Sequence, residues 1–322
     1  MKFKMTVMAA AIAFSGTALA NNNISDIDQS GYNNDVSVSQ YTQGWGGNNN
    51  SGVSQAGVSN GATVHQSGWW GYNVSDIDQA GMGNEADVFQ SGTKNSATVS
   101  QTGQFNSSDS QQNGVQNVLQ VDQEGSKNAA STLQNGWDNL AEISQSGFAN
   151  SSYAAQDGKY NTAQVLQDGL KNASDISQSG TNNFADVDQS GSFNDSTIDQ
   201  SGRNNWAEVA QRDMKNTADI VQNGRNNVAG IDQSNFNNDA FINQNGVMNY
   251  SEVTQSGYND LADSYQSGNN HYSSITQSAA PGYFGGLMSL ASNTATHVQL
   301  GSTNIATTTQ VGGGNTAHVH QH

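Results

Sequence analysis

The stretch QSGTKNSATVSQ, from Gln90 to Gln101, holds the unit from which nearly the whole chain is built. Gly92 follows Gln90 by two positions, Asn95 by five, Ala97 by seven and Val99 by nine; Gln101 closes this unit and opens the next. From Gln90 to Gln277 every eleventh residue is Gln, 18 in succession, since (277 − 90)/11 + 1 = 18. Upstream, Gln29, Gln40, Gln55, Gln66 and Gln79 continue the series with small insertions. Downstream, Met288 occupies the phase once before Gln299, Gln310 and Gln321 restore it. A fixed period running through a chain is the signature of a repeat architecture, not of a globular enzyme.

Other copies keep the same positions. Gly recurs at Gly147, Gly191 and Gly257, Asn at Asn150, Asn194 and Asn249, and Val or Ile at Val165, Ile198 and Ile242. From Asn onward the fixed residues alternate with variable ones, which is the periodicity of a strand. Asn, Ala or Ser, Val or Ile, and Gln therefore point one way. Ala141, Ile143, Gln145 and Asn150 are expected inside, and Glu142 and Ser144 outside. Gly and its neighbours supply the turn, where positive φ is cheap for Gly and tolerable for Asn. A side-chain amide both donates and accepts, so identical residues one coil apart can bond in a row. The expected stacking ladder comprises Gln90, Gln101, Gln145, Gln167, Gln189, Gln211, Gln233 and Gln255, with Asn95, Asn150, Asn194 and Asn249 beside it and Gly92, Gly147, Gly191 and Gly257 at the turns.

A second period sets the coil. The residue after the unit Asn is bulky or β-branched in alternate units: Val118, Leu140, Thr162, Phe184, Trp206, Val228, Tyr250 and Tyr272. Between them it is mostly small or polar (Ser107, Ala129, Ser151, Ala173, Asp195, Thr217, Asp239), with Leu261 as an exception. A repeat made of two units, each forming a strand unlike the other, explains this alternation. The expected fold is all-β: a cross-β β-solenoid of strand-turn-strand coils, about 22 residues per coil and about thirteen coils, stacked at about 4.7–4.8 Å.

The first residues read as a secretory signal, 1–20. Lys2 and Lys4 form a basic start, Met5 to Phe14 an apolar stretch too short to span a membrane, and Ala18-Leu19-Ala20 a small-residue cleavage site. The mature chain is expected to start at Asn21, and no other stretch reads as a membrane span. Loss of the two lysines moves the net charge from −17 to −19, which leaves no basic patch for nucleic-acid phosphates. The chain has no Cys, a single Pro at Pro281, and only 11% charged residues. Disulfides cannot stabilise it, and its Asn-, Gln-, Ser- and Gly-rich composition matches β-aggregating rather than disordered chains.

Repeats with loop insertions are expected over 21–277, at residues 41–50 and 67–72, with Trp45, Trp69 and Trp70 in the two insertions. Those rings read either as bulged turns with partly packed aromatics or as an adhesive patch. Residues 278–292 lose the unit Gly, Asn and Gln. They read either as a degenerate coil or as a loop that excludes one strand, followed by C-terminal repeat strands over 293–322. The pairs Asp26/Asp28, Asp76/Asp78 and Asp186/Asp188 fall on the outward face, as solvated gatekeepers or as cation contacts. His318, His320 and His322 alternate on one outward face without evident carboxylate or Cys partners for zinc. No catalytic, cofactor or metal residues stand apart from the repeat background, so neither an enzyme nor a cofactor is expected.

The motif Gln-x-Gly-x-x-Asn-x-Ala-x-x-x-Gln, in QSGTKNSATVSQ and again in QVGGGNTAHVHQ (Gln310 to Gln321), resembles the curlin family, the subunits of curli fibres. The resemblance implies a secreted subunit that self-assembles head to tail into extracellular functional amyloid for biofilm matrix and adhesion. It also implies a nucleator subunit and an outer-membrane secretion pore as partners. Major subunits of the family carry a repeat-free leader after the signal; here Ile24 to Gln29 already reads as a repeat strand. A nucleating minor subunit and a monomeric β-solenoid adhesin are the rival readings. An ice-binding surface would need a flat Thr column recurring once per coil, and none is present.

Overall fold

The computed structural model describes residues 23–42, 47–278, 282–284, 287–289 and 292–322, and these contain strands and turns without a helix. The predicted signal, Trp45 and Pro281 lie outside the described residues. Successive strands run alternately into two parallel sheets of thirteen strands each. Two strands and two turns make one coil. The first coil consists of β1 (Ile24–Tyr32) and β2 (Asp35–Thr42); the last consists of β27 (Ile305–Val311) and β28 (Thr316–Gln321). We call the sheet that starts with β1 the first sheet and its companion the second.

In the regular part each residue pairs with the one 22 later: Ala141 with Ala163, Ile143 with Val165, Gln145 with Gln167. The eleven-residue unit is thus half a coil. The bulky column after Asn stands on the outer face of the first sheet, where Phe184 stacks on Trp206 at 4.0 Å and Tyr250 on Tyr272 at 5.1 Å. Inside, Ala141, Ile143, Gln145 and Asn150 are all at most 2% exposed. Ser144 is exposed and Glu142 is half-buried. Most strands contribute one small and one branched apolar side chain to a narrow core, and burial of a Val or Ile is worth about 1.5–3 kcal/mol. The rest of the interior is mostly amide, with some hydroxyls and the side chains of Asp260, His271 and His297.

The irregular stretches resolve in distinct ways. The two extra residues in 67–72 are taken up as a bulge within β4 (Gly61–Gly71), whose register against β6 (Glu85–Thr93) shifts between Ser67 and Gly71. This is the bulged form of the insertion: one bulge absorbs the extra residues and keeps the ladder on both sides. Trp69 and Trp70 stay on its surface, 64% and 57% exposed. At the C-terminal end, β22 (Leu261–Asn269) pairs with β26 (Thr294–Ser302), and β23 (Tyr272–Ser278) pairs with β27. Gln266 then faces Gln299 and Gln277 faces Gln310, each three units further along the chain instead of two. One whole unit is left out of the stack. Its described parts, β24 (Gly282–Phe284) and β25 (Leu287–Ser289), pair antiparallel with each other and join neither large sheet. Without the unit Gly, Asn and Gln the segment has no groups to enter the ladders.

Candidate assembly surfaces

The Gln side chains form two unbroken rows, one per sheet. In the first sheet, Gln101 Nε2 donates to Gln123 Oε1 at 2.8 Å, Gln145 to Gln167 at 2.8 Å, Gln167 to Gln189 at 2.8 Å, Gln189 to Gln211 at 2.8 Å, Gln211 to Gln233 at 2.9 Å and Gln233 to Gln255 at 2.8 Å. In the second sheet Gln90 receives from Gln66 and donates to Gln112, both at 2.8 Å. From Gln40 onward the second N–H of the amide goes to a backbone carbonyl across the core, as from Gln101 to Glu85 O at 2.9 Å. A buried amide with both N–H groups and its oxygen engaged carries no desolvation penalty.

Asn keeps the expected amide row in one part of the stack, where Asn73, Asn95, Asn117 and Asn139 each donate Nδ2 to the Asn Oδ1 one coil earlier at 3.2 Å, and throughout it also bonds to backbone. Asn150 Nδ2 donates to Ser146 O in its own unit (2.7 Å) and to Gly169 O in the next coil (3.3 Å), while its Oδ1 accepts the backbone N–H of Asn172 at 3.0 Å. Asn95 and Asn194 repeat the pattern, and Asn249 accepts from the backbone of His271 at 3.1 Å. Asn is a staple that closes each turn and fastens it to the coil above. Two substitutes occupy its position. His271 reproduces the amide, with Nδ1 accepting from Asn304 N at 3.3 Å and Nε2 against Ser267 O at 3.3 Å. Asp260 reproduces only half of it. Its Oδ1 accepts from Asn293 N at 2.8 Å, but Oδ2, where an amide would donate, is buried without a partner. Burial pushes the Asp260 carboxyl above its ordinary value, against the Asn293 donor.

Gly92 and Gly147 have φ of +116° and +106°, and a Cβ built at Gly147 would lie 2.1 Å from the carbonyl oxygen of Gly169. The unit Gly is therefore required by the approach of the next coil as much as by the turn. The left-handed residue proper is the one before Asn, where Lys94, Phe105 and Lys127 sit at φ 57–59°; sequence reading missed this position because so many residue types fill it. Gly191 faces Asp213 rather than another Gly. Asp213 and Asn235 hold the Gly position at φ 71° and 73°, and there β17 (Trp206–Gln211) and β19 (Val228–Gln233) stop at their Gln. Gly257 follows the end of β21 (Tyr250–Gln255); it is buried and its carbonyl accepts from Asn238 at 3.1 Å.

Near the C-terminal end the core turns polar. Ser251, Ser264, Ser273, His297 and Thr308 form a hydrogen-bonded chain, with links of 2.8, 2.9, 2.8 and 2.7 Å, zigzagging between the sheets. His297 stands where other units place Val or Ile and is fully buried. Burial lowers its pKa from 6.5 to about 4. The unfolded chain binds this proton first, so stability is full above pH 6.5, falls as pH drops from 6.5 to about 4, and levels off below. At about 1.4 kcal/mol per pH unit the loss is ~3 kcal/mol. Thermal unfolding across that range is expected to show this slope in the wild type and to lose it in His297→Val; an unchanged slope in the variant would assign the effect to other groups.

Among the described residues the two ends of the stack are unpaired and unlike. The Gln rows run donor to acceptor from β1 and β2 toward β27 and β28: Gln29 donates to Gln55, Gln40 to Gln66, Gln277 to Gln310 and Gln299 to Gln321. Among the described residues no donor meets the Oε1 of Gln29 or Gln40, and the outward N–H of Gln310 and Gln321 meets no acceptor. The N-terminal end thus presents amide oxygens and the C-terminal end amide N–H groups. The core opens there too: Ile27, in the interior column, is 46% exposed. The Asp pairs lie outward as expected, as do His318 and His320 in β28 and His322 just after it.

Two parallel sheets closed by amide rows define a β-solenoid repeat protein. The curlin associated repeat matches residues 73–103, 81–114, 116–147, 136–169, 180–212, 215–246 and 249–278, together more than half of the chain, and the chain belongs to the curlin family. No curated protein matches it. Family and fold are structural rather than enzymatic, point to a curli-type fibre subunit, and no described helix is long and apolar enough to cross a membrane.

Proposed function

We propose that this chain is a secreted structural subunit that assembles end to end into extracellular amyloid fibres of the curli type, serving biofilm matrix and surface adhesion. The observation that carries this reading is the complementarity of the ends. Stacking β27 and β28 of one copy under β1 and β2 of the next continues both sheets in register and joins Gln310 to Gln29 and Gln321 to Gln40, donor to acceptor. Head-to-head contact would set oxygen against oxygen. An unpaired strand edge templates another chain, and a head-to-tail contact that does not close gives a filament. The Gln, Asn and Gly positions act in this reading as the stacking ladder of the fibre. A secretion pore of the outer membrane and a nucleator subunit are partners by family. A nucleating role for this chain is the second reading, favoured by β1 starting at Ile24, directly after the predicted signal.

The test is assembly from denaturant without any cofactor. Fibres with a ~4.7 Å meridional reflection are expected; a soluble monomer at high concentration would support the adhesin instead, and activity only as a seed for another subunit would support the nucleator. Deletions refine the test. Removing Ser146 to Gln167 takes out one whole coil and leaves both ends and the register intact. Removing Ser146 to Gln156 takes out half a coil, sets first-sheet strands on second-sheet strands inside the stack, and repeats the mismatch at every joint. Fibre growth at matched concentration is expected near wild type for the first and several-fold slower for the second. The chain itself illustrates the preference: it carries one odd unit and extrudes it.

A further inference from the structure

The two-unit coil accounts for everything inside the stack, but the outside carries a longer period. At the turns leading from the first sheet to the second, Phe and Lys alternate coil by coil: Phe105, Lys127, Phe148, Lys171, Phe193, Lys215, Phe236, with Phe148 and Phe236 one position ahead of the column the others share. Successive lysines are two coils apart, or about 9.5 Å along the stack. Each ammonium lies over the ring in the following coil, at 5.3 Å for Lys127 on Phe148, 5.4 Å for Lys171 on Phe193 and 5.4 Å for Lys215 on Phe236. All three lysines are exposed, and Phe105, Phe148 and Phe193 are 41–51% exposed.

The outer face of the second sheet carries a counterpart. Asp175, Asp219 and Asp263 occupy one outward column, again two coils apart, with Asp195 and Asp239 in the neighbouring column at the coils between. The carboxyls of Asp175, Asp195, Asp239 and Asp263 are held above the ordinary range, first by burial and then by one another and by Asp199 and Asp219. The described residues contain one ion pair, Arg212 with Asp232 at 2.7 Å. The chain therefore keeps its comb of lysines and its stripe of aspartates apart. Lys171 and Asp175 lie on the same coil, but four residues of strand separate them by about 13 Å.

We propose that the Lys127–Lys171–Lys215 edge and the Asp175–Asp219–Asp263 stripe together form a lateral docking surface for a second copy of this chain. Three observations point to a second copy rather than another partner. The charges are complementary. Comb and stripe have the same two-coil spacing and the same span, since 215 − 127 and 263 − 175 are both 88, as only two stacks of equal pitch stay in step. And the two columns lie side by side, so a two-fold axis along the stack sets Lys171 against Asp175 of the second copy, Lys215 against Asp219, and the reverse, while Lys127 and Asp263 flank the matched pairs opposite Ser131 and Asn259. The exposed Phe rings flank the charges and supply apolar contact. Each pair is weak at the surface, but an end-to-end fibre repeats the set with every subunit, so pairing strengthens with length. In that respect the inference deepens the fibre reading, while the surface itself belongs to a single chain.

The experiment uses two charge-reversal triples of the full mature chain: Lys127→Glu/Lys171→Glu/Lys215→Glu, and Asp175→Lys/Asp219→Lys/Asp263→Lys. All six positions point outward, so both are expected to fold, which circular dichroism checks. Electron microscopy counts single and paired fibres, and sedimentation at low salt measures self-association of short or unassembled chains. Wild type is expected to form lateral pairs that separate in 1 M salt, where the screening length falls to about 3 Å. Each triple alone is expected to give single fibres of normal length, and the two triples mixed after separate growth are expected to regain pairs. Pairs that persist in either triple, or that fail to return on mixing, overturn the proposal. Wild-type fibres that pair only when an anionic polysaccharide is added would assign the comb to that polymer and also overturn it. Absence of all fibres counts against the fibre reading alone, because sedimentation still compares the chains.

Discussion

Replacing Gly147 by Ala is expected to remove the coil it belongs to from the stack. At φ +106° an L side chain is strained, and its Cβ would sit 2.1 Å from the backbone oxygen of Gly169, which cannot move without breaking its own strand pairing. Strain and overpacking together are on the order of 3–5 kcal/mol. The loss spreads, because each coil is the template for the next and solenoid stability is a sum of neighbour terms. Gly230→Ala is the control. Gly230 lies in a strand, points outward, has no atom within 4 Å of the place an added Cβ would take, and is not at positive φ. Ala there is expected to be neutral or to stabilise by about 0.5–1 kcal/mol. Denaturant unfolding of the two variants separates the cases; a similar midpoint for both would show that neither the turn conformation nor the approach of the next coil requires Gly at 147.

That contrast marks what a reader of the sequence is able to see. The interior of a solenoid is a set of columns, so every inward residue must suit the one a coil later, and Gln, Asn, Ala and Val or Ile repeat visibly. The two non-equivalent strands were legible because the outer columns differ, Trp206 on one side and Asp195 on the other. The left-handed residue before Asn was not, since Lys94, Phe105 and Ala149 share the conformation without sharing chemistry. Nor was the division of labour between the amides. Gln145 bonds side chain to side chain, whereas Asn150 bonds to backbone, and composition treats them alike. The fate of residues 278–292 stayed open between two readings because a missing ladder residue permits either. The polar chain through His297 was hidden for another reason: Ser264 and Thr308 come from the Val or Ile position and Ser273 from the Ala position of different units, and they meet only across the two sheets.

The core also sets a sharp limit on charge. Ile143→Asp is expected to cost about 3–5 kcal/mol, since the carboxylate would stand between Val121 and Val165 in a closed apolar row with no cation to meet it. Ser144→Asp, one residue away, is expected to cost under about 0.5 kcal/mol. Its side chain faces water, Asp122 already holds the same outward position one coil below, and only the repulsion between the two remains. Neutral polarity inside is another matter. Single buried hydroxyls at Ser75, Ser152 and Ser174 stand in the Ala column without a partner, and the larger polar side chain of His297 enters the Ile column only with Ser273 and Thr308 bonded to its ring and its proton kept off. The apolar columns therefore accept hydroxyls singly and larger polar groups when linked; the one buried carboxyl among the described residues, Asp260, stands in the Asn column instead. Chemical denaturation of the two Asp variants at neutral pH measures the limit on charge directly. At acid pH the deficit of Ile143→Asp is expected to shrink as its carboxyl takes up a proton, while that of Ser144→Asp stays small. Equal losses at the two positions, or a deficit at 143 that ignores pH, would mean that water and counter-ions reach the space between the sheets.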